Sequence, residues 1–455
     1  MPTAYTILFL LLILVAAATW IIPAGSYDYV DGVPVAGTYH AVAQNPQGVG
    51  DVLKAAFSGF YDAVDVCIFI LMVGGFLGVV MKTGAVDAGV ANIIRLLGGR
   101  EKWLIPILML LFGLGGTTYG MWEETMAFYP LLIPVFLAAG YDAVVGISVI
   151  LLGAGAGVIA STVNPFATGI AAGFAGVSLG EGIVLRLLEW VAFEAAAIWF
   201  VMAYAAKVKK NPSKSVVGVG AGKIQVSMDQ QVPFTAKRKV IMALFTLTFL
   251  IMVYAVVPFD EMGLPLPTLG WWFPELSALF LVAGVVIGLI DRMSEEELVE
   301  IYVAGCADLL GVAFIIGISR GITVLMNDGS ITDTVLHWGE QALSGAGAIS
   351  FTLLVFALYL PLTILIPSSS GLATLSIPIV APLGKFAGVG GDLVVTAFQS
   401  ASGLVNIITP TAAVLMGALA LGHVPYDRWV KYVWKLMLWF LLLALAFLVA
   451  GVLLG

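Results

Sequence analysis

Nine stretches of this chain are apolar for long enough to cross a bilayer: 4–23, 57–81, 142–178, 183–207, 239–258, 272–290, 300–327, 391–422 and 429–454. A helix needs about 20 such residues to span the hydrocarbon, and a chain that repeats the feature nine times has few folds open to it. Composition agrees, with 61% of the 455 residues hydrophobic and 11% charged, against about 45–50% and about 25% in soluble domains. So few charges cannot coat a soluble surface of this size. A cytosolic enzyme, a nucleic-acid binder and the disulfide-rich and disordered classes are excluded. The net charge of −8 is no guide to partners, because the placement of charge matters more than its sum. Cys67 and Cys306 both fall in apolar stretches and offer neither a disulfide framework nor metal-ligand spacing. The run from Tyr5 to Pro23 resembles a signal peptide, but everything after it is equally membranous, so it reads as the first membrane helix.

Two further apolar stretches, 102–139 and 348–386, carry polar, Gly- and Ser-rich centres between arms short for a crossing. Irregular backbone at membrane depth is tolerated only where protein or a water-filled cavity surrounds it. Both are therefore expected to be re-entrant hairpins whose tips meet near the midplane. Basic residues test the count. Lys82, Arg95, Arg100 and Lys102, the seven lysines and Arg238 of the 207–239 loop, and Arg292, Arg428, Lys431 and Lys435 make 16 of the 20 that fall on one side. That side is the cytoplasm, which puts the N-terminus and the 207–239 loop inside the cell. A full crossing at either hairpin would break the pattern.

The two halves match at an offset of about 245 residues. Gly59-Phe60-Tyr61-Asp62 recurs as Gly305-Cys306-Ala307-Asp308, Met81-Lys82-Thr83-Gly84 as Met326-Asn327-Asp328-Gly329, and Pro130 and Pro134 as Pro378 and Pro382. Ser161-Thr162-Val163-Asn164-Pro165 recurs as Asn406-Ile407-Ile408-Thr409-Pro410. Each half holds two helices, a short interfacial helix (84–99, 330–346), a hairpin, a broken helix and a final helix. The extra helix at 239–258 makes the number of crossings between equivalent points odd, so the second half is expected to be inverted. Inverted repeats with paired broken helices mark secondary transporters. No Walker A sequence supports an ATP-driven one.

The chemistry sits at the breaks and tips. Proline removes a backbone donor and disfavours helix before it, leaving Ser161, Thr162 and Asn164, and Asn406 and Thr409, beside freed carbonyls. Half-helix ends bring partial charges to a substrate or cation. The alternative is a proline kink satisfied by neighbouring helices, but its occurrence twice at matching places favours binding. The first tip carries Thr117, Thr118, Tyr119, Gly120, Trp122, Glu123 and Glu124, and the second Ser368, Ser369, Ser370 and Gly371. Carboxylates at membrane depth are functional candidates by default. Consecutive residues do not share a helix face, so one of Glu123 and Glu124 is expected to face the pocket and the sequence does not say which. A glutamate pair capping the second arm is the bland alternative. An acidic tip opposite a serine-rich one suits a cationic substrate and suits a dianion poorly. Glu194, mid-span, fits proton coupling and structural pairing equally, with Glu189 nearer the outer end. Arg320 reads first as structural and second as a partner for a substrate carboxylate. Asp62 and Asp308, repeat-related and near helix ends, read as local caps or hydrogen-bonding groups. His40, His337 and His423 lie outside the spans with no metal-site pattern around them. Trp103, Trp271, Trp272, Trp429 and Trp434 read mostly as interfacial anchors.

The segments MPTAYTILFLL, GFYDAVD, GGFLGVVMKTGA, GGTTYGMWEET, FYPLLIPV and STVNPFATGIAAGFAG resemble the YfcC-like transporters, grouped with the anaerobic C4-dicarboxylate carriers in the ion transporter superfamily. The similarity covers essentially the whole chain. It implies a scaffold domain, a transport domain that moves as an elevator, and a homodimer. Sodium–dicarboxylate members of that superfamily bind substrate and sodium through Ser-Asn-Thr motifs at the hairpin tips. Here those positions hold Tyr119-Gly120-Met121-Trp122-Glu123-Glu124 and Ser368-Ser369-Ser370-Gly371, a departure from both dicarboxylate specificity and sodium coupling. YfcC-like members are described as basic amino acid antiporters.

The expectation is therefore an all-α polytopic inner-membrane protein with an inverted repeat, about nine crossing helices and two re-entrant hairpins. Its parts are a scaffold (1–101 and 239–347, the latter with the linking helix), a transport part (102–207 and 348–455) and a cytoplasmic loop (208–238). The expected function is exchange of a basic amino acid such as arginine or ornithine. An ion-coupled C4-dicarboxylate carrier is the rival, and an ion channel is the rival of another class. Glu123 or Glu124 would hold the ammonium or guanidinium group. Tyr119, Thr118, Ser161, Thr162, Asn164, Ser368, Ser369, Ser370, Asn406 and Thr409 would hold the rest of the substrate. Glu194 and Arg320 are the coupling candidates, and Na+ or H+ the candidate coupling ion. No catalytic residue, metal or organic cofactor is expected, and the partners are a small-molecule substrate and the lipid bilayer.

Overall fold

A computed structural model describes the chain except residues 1–3, 31–32, 87, 90–91, 93–99, 119, 179, 219–232, 257–258, 260–264, 272 and 455. The fold is mostly helical. In chain order the helices are α1 (Ala4–Ala18), α2 (Val49–Asp62), α3 (Val64–Lys82), α4 (Leu104–Thr118), α5 (Tyr129–Ala138), α6 (Ala143–Ile159), α7 (Ile170–Ala175), α8 (Ile183–Lys210) and α9 (Ala236–Val256). They continue as α10 (Phe273–Asp291), α11 (Glu295–Asp328), α12 (Thr332–Leu343), α13 (Ala348–Leu365), α14 (Ser369–Phe386), α15 (Gly391–Asn406), α16 (Ala413–Leu421) and α17 (Tyr426–Leu454). Two small antiparallel ribbons between α1 and α2, pairing Gly25–Ser26 with His40–Ala41 and Tyr29–Val30 with Val33–Pro34, have no counterpart in the sequence expectations. The predicted interfacial helix 84–99, the middle of the 207–239 loop and Trp272 lie wholly or largely outside the described residues.

Local chemistry sets the helix ends. Ser294 caps α11 by accepting from the Glu297 N–H, and Glu295, Glu296 and Glu297 place negative charge at its positive end. Asp142 caps α6 through the Val145 N–H at 3.0 Å. Lys207, Lys209 and Lys210 close α8 at its negative end.

Among the described residues five helices, α3, α10, α11, α13 and α17, are long and apolar enough to span a bilayer. The apolar stretches do not each fold as one uninterrupted helix. The 57–81 stretch is two helices parted at the non-helical Ala63, α1 has only 15 residues, and both broken helices stop short at their prolines. The first hairpin has the expected short arms, of 15 and 10 residues. The second differs, because α13 and α14 each run 18 residues with Pro361, Pro378 and Pro382 inside them. Thr363 and Thr374 bond back to Tyr359 O and Ser370 O on their own helices, and both helices continue through their prolines, which membrane helices tolerate where neighbours re-satisfy the freed carbonyls.

Contacts gather the helices into two groups. Helix α11 packs along α2 and α3, with α1 and α10 beside them; α4 packs on α6, α13 on α15, and α8 and α17 on both α6 and α15 or on each other. Glycines make the first group close. A Cβ on Gly74 would stand 2.5 Å from Gly305 O, one on Gly305 would stand 2.4 Å from Gly74 O, and one on Gly59 would stand 2.1 Å from Gly317 O. Small residues at such crossings let backbones touch where lipid gives no hydrophobic drive. Helices α6 and α15 are buried nearly all round, so protein, not lipid, encloses the breaks that follow them. Gly74→Val should cost about 1–3 kcal/mol by overpacking and lower the melting temperature in detergent. Gly173→Ala, with nothing within 4 Å of the added carbon, should leave it unchanged.

Candidate functional site at the helix breaks and the first hairpin tip

The first tip turns at Gly120, whose φ of +78° suits glycine. A Cβ there would also strike the Asn164 side chain at 2.5 Å, so the tip backbone lies directly against the first break. The chain then forms a short 3-10 helix, Glu123–Phe128. Its start is closed by Glu124, 5% exposed, which accepts from the Trp122 N–H at 3.1 Å. Thr125 donates to Trp122 O. This geometry separates the two glutamates: Glu124 turns inward as a cap and Glu123 faces a cavity. Thr118 spends its hydroxyl proton on Leu114 O, and Tyr119 lies outside the described residues.

At the first break the forfeited backbone bonds are taken over by the hairpin. Thr117 O accepts from the Thr162 and Val163 N–H groups, the Thr117 hydroxyl donates to Ala160 O, and the Thr162 hydroxyl donates to Thr117 O. Asn164 Oδ1 accepts from the Ala167 N–H, starting the next turn. Thr168 bonds Ser161 and Gln399, and Gln399 reaches on to Val158 O. Ser161 and Thr162 are thus buried in a network that satisfies itself.

The second break is satisfied from other elements. Trp429 Nε1 donates to Ile407 O at 3.0 Å, Tyr426 to Ile408 O at 2.6 Å, and Ser319 of α11 to Thr411 O at 2.5 Å. Thr409 and Thr411 share a hydroxyl bond of 2.9 Å. Trp429, expected as an interfacial anchor, is instead fully buried at this break; its indole N–H supplies a donor that Pro410 leaves wanting. Exposed Trp103 and Trp434 keep the outward positions expected of anchors.

A cavity of about 50 Å³ lies between the first tip, the second break and α11. Trp122, Glu123, Ser319, Arg320, Asn406 and Thr411 border it, with Pro367 from the second hairpin. Arg320 stands near enough to Glu123 for their charges to attract, and its Nε is 3.8 Å from Asp62 Oδ2. Arg320 thus meets both a carboxylate of α2 and the cavity beside the first tip. Sequence reasoning passed over Trp122, Ser319 and Thr411 as contributors. A polar residue on α11 repeating at the height of a break was the available signal for Ser319.

The structure does not bring every expected residue to this cavity. Asn406 and Glu123 border it, whereas Ser161, Thr162, Asn164 and Thr409 belong to the break networks. Ser368 caps α14 through the Gly371 N–H and lies 3.4 Å from Ser370; with Ser369 they stay partly exposed outside the cavity. Glu189 accepts from Ser400 at 2.8 Å, and Glu194 is buried on α8 against Gly113. A second, larger cavity of about 1110 Å³ lies between α3, α11 and the start of α17, bordered by Asp308, His423 and Arg428. Met126 and Val312 meet at Gly417 between the two. Among the described residues no group of three or more His, Cys, Asp or Glu could hold a metal ion.

Comparison with known proteins gives the site its setting. An uncharacterized protein of Haemophilus influenzae strain Rd is 35% identical, over 99% of this chain and 97% of that one. Escherichia coli strain K12 YfcC, provisionally named a basic amino acid antiporter, is 31% identical over 95% of this chain and 92% of its own. Among solved structures, the Alcanivorax borkumensis YdaH transporter aligns at TM-score 0.44 and 15% identity, covering 98% of each chain. Neisseria gonorrhoeae MtrF, described with a class of antimetabolite efflux pumps, aligns at 0.46 and 17%, covering 98% of this chain and 94% of its own. The model of DcuC, the C4-dicarboxylate anaerobic carrier family, matches residues 1–453. With that match and the two relatives above 30% identity, the chain belongs to this family of membrane transporters, and it is not an enzyme.

Proposed function

We propose that this protein is an inner-membrane secondary transporter that exchanges basic amino acids of the arginine and ornithine kind by alternating access. One observation carries the reading: a single cavity bordered by one carboxylate, Glu123, and one guanidinium, Arg320. A basic amino acid matches that pair. Its cationic end would sit at Glu123 with the face of Trp122 nearby, its carboxylate at Arg320, and Asn406 would donate or accept between them. A dicarboxylate would set like charge against Glu123 unless a cation or proton intervened. The name of the Escherichia coli relative supports the same substrate class.

The cavity, at about 50 Å³, has room for a few waters at about 10–15 Å³ each, fewer atoms than an amino acid has. Loading therefore requires the first tip and α11 to part. Glu123 and Asn406 belong to the hairpin-and-break group and Arg320 to the α2–α3–α11 group, so movement of one group against the other would open and close the site. This is the elevator arrangement, taken here with a homodimer, and the larger cavity on the side of Arg428 would be its cytoplasmic vestibule. Exchange of one cation for another avoids about 2.3 kcal/mol per 100 mV for each uncompensated charge moved.

A second reading has a specific observation behind it. Arg320 at the cavity and the family's dicarboxylate carriers favour a C4-dicarboxylate held by Arg320, with a cation at Glu123. Counterflow in proteoliposomes separates the two. Labelled arginine should enter vesicles preloaded with arginine or ornithine faster than empty ones, without a sodium gradient. Sodium-driven succinate uptake with no arginine exchange would establish the dicarboxylate reading instead. Glu123→Gln should lower arginine counterflow about 10- to 100-fold, the worth of one hydrogen bond to a charged group. Glu124→Gln should leave the arginine KM unchanged, and a large KM effect there with none at Glu123 would reverse the assignment.

A further inference from the structure

Glu194 is the buried ionisable group that neither the cavity nor the break networks use. Helix α8 is 28 residues long, about 42 Å at 1.5 Å per residue, and Glu194 lies near its middle. The residue is 2% exposed, and neither carboxylate oxygen has a hydrogen-bond partner among the described residues. Its Oε2 fills the notch left by Gly113 of α4, where a Cβ would stand only 2.4 Å away.

The surroundings offer no counter-charge. Helices α4 and α6, which pack on α8, contain no ionisable side chain. On α15 the sole one is Asp392, beside Gly182 at the start of α8. On α17 Asp427, Arg428, Lys431, Tyr432 and Lys435 all lie in the first three turns. Tyr432 packs at a tilt against Tyr204, whereas the ring of α17 against Phe193 of α8 is Phe440. The 3-10 turn Pro212–Lys214 sits beyond the far end of α8. Along α8 itself Arg186 donates to Glu181 O near the first turn, Glu189 accepts from Ser400, and Lys207, Lys209 and Lys210 end the helix. An unpaired carboxylate so placed would forfeit its hydration on ionising, with nothing in return.

We propose that Glu194 is a proton-binding site that makes H+ the counter-ion of transport, a deepening that rests on the exchange reading above. The step is a protonation alone: a proton from water forms an O–H bond on one Glu194 oxygen and returns to water from it. Glu194 abuts Gly113, one helical turn before Thr117, the residue that ties the hairpin to the first break. A shift of α4 on α8 that accompanies substrate release would open the Gly113 notch to water and let the proton leave. One substrate cation and one proton then cross in opposite directions with no net charge moved.

Two measurements test this. In proteoliposomes holding a trapped pH dye, external arginine should drive proton efflux in the wild type and none in Glu194→Gln, which mimics the neutral acid and should keep arginine–ornithine counterflow. Unchanged proton movement in Glu194→Gln, or arginine uptake into amino-acid-free wild-type vesicles with no linked proton movement, overturns the proposal. Infrared difference spectra of wild type minus Glu194→Gln at neutral pH need no substrate. They should show a protonated-carboxyl C=O band, and a carboxylate band in its place overturns the site even if arginine is not the substrate. Loss of arginine counterflow in the wild type itself would count against the exchange reading and leave the infrared result to decide on Glu194.

Discussion

Backbone groups stranded at membrane depth must find partners inside the protein, and the two proline breaks are where this chain meets that constraint. Each break forfeits helix hydrogen bonds in a low-dielectric interior, where an unmade bond costs about 1–3 kcal/mol. Thr117 repairs the first break from the hairpin that precedes it. Trp429, Tyr426 and Ser319 repair the second from three directions. Because the repairs come from different elements, each break is held to its hairpin, to the following helix or to α11, and the candidate site inherits its geometry from those ties.

The two breaks are built alike in sequence and used differently. The first is closed on itself: Ser161, Thr162 and Thr168 bond one another's neighbours and Gln399, leaving little polar capacity for a ligand. The second leaves Asn406 and the neighbourhood of Thr411 on a cavity, and places there a hydrogen bond that reaches across to α11. Ser319 and Arg320 are consecutive on α11, so the same helix turn that satisfies a break carbonyl also delivers a positive charge opposite Glu123. A bond that holds the two helix groups together and a charge pair that would bind substrate thus occupy one contact. Substrate entry would have to compete with that contact, which is how binding becomes linked to movement.

The sequence showed the hairpins and breaks because they violate the rule for a membrane span. Glycine, serine, glutamate and proline inside long apolar runs need an explanation, and enclosure by α6 and α15 supplies it. What it hid depends on three-dimensional neighbours. Glu123 and Glu124 are equivalent as letters, and only the 3-10 turn that points one at Trp122 N–H tells them apart. Arg320 lies about 200 residues from Glu123, and nothing in its own helix says which tip it meets. Trp429 read as an anchor because it sits near the end of an apolar run, yet a tryptophan is equally an indole donor for a carbonyl that proline has freed. The second hairpin's arms ran longer than expected because a proline inside a membrane helix does not by itself end it.

The central claim is that Glu123 and Arg320 hold opposite ends of one zwitterionic substrate. The most direct measurement is calorimetric binding of arginine and of agmatine, which lacks the carboxylate, to the wild type and to Arg320→Ala. The account predicts that the wild type binds arginine at least about tenfold more tightly than agmatine, one charged hydrogen bond's worth, and that Arg320→Ala abolishes the difference while still binding agmatine. Equal affinities in the wild type, or a preference for arginine that survives in Arg320→Ala, would contradict it.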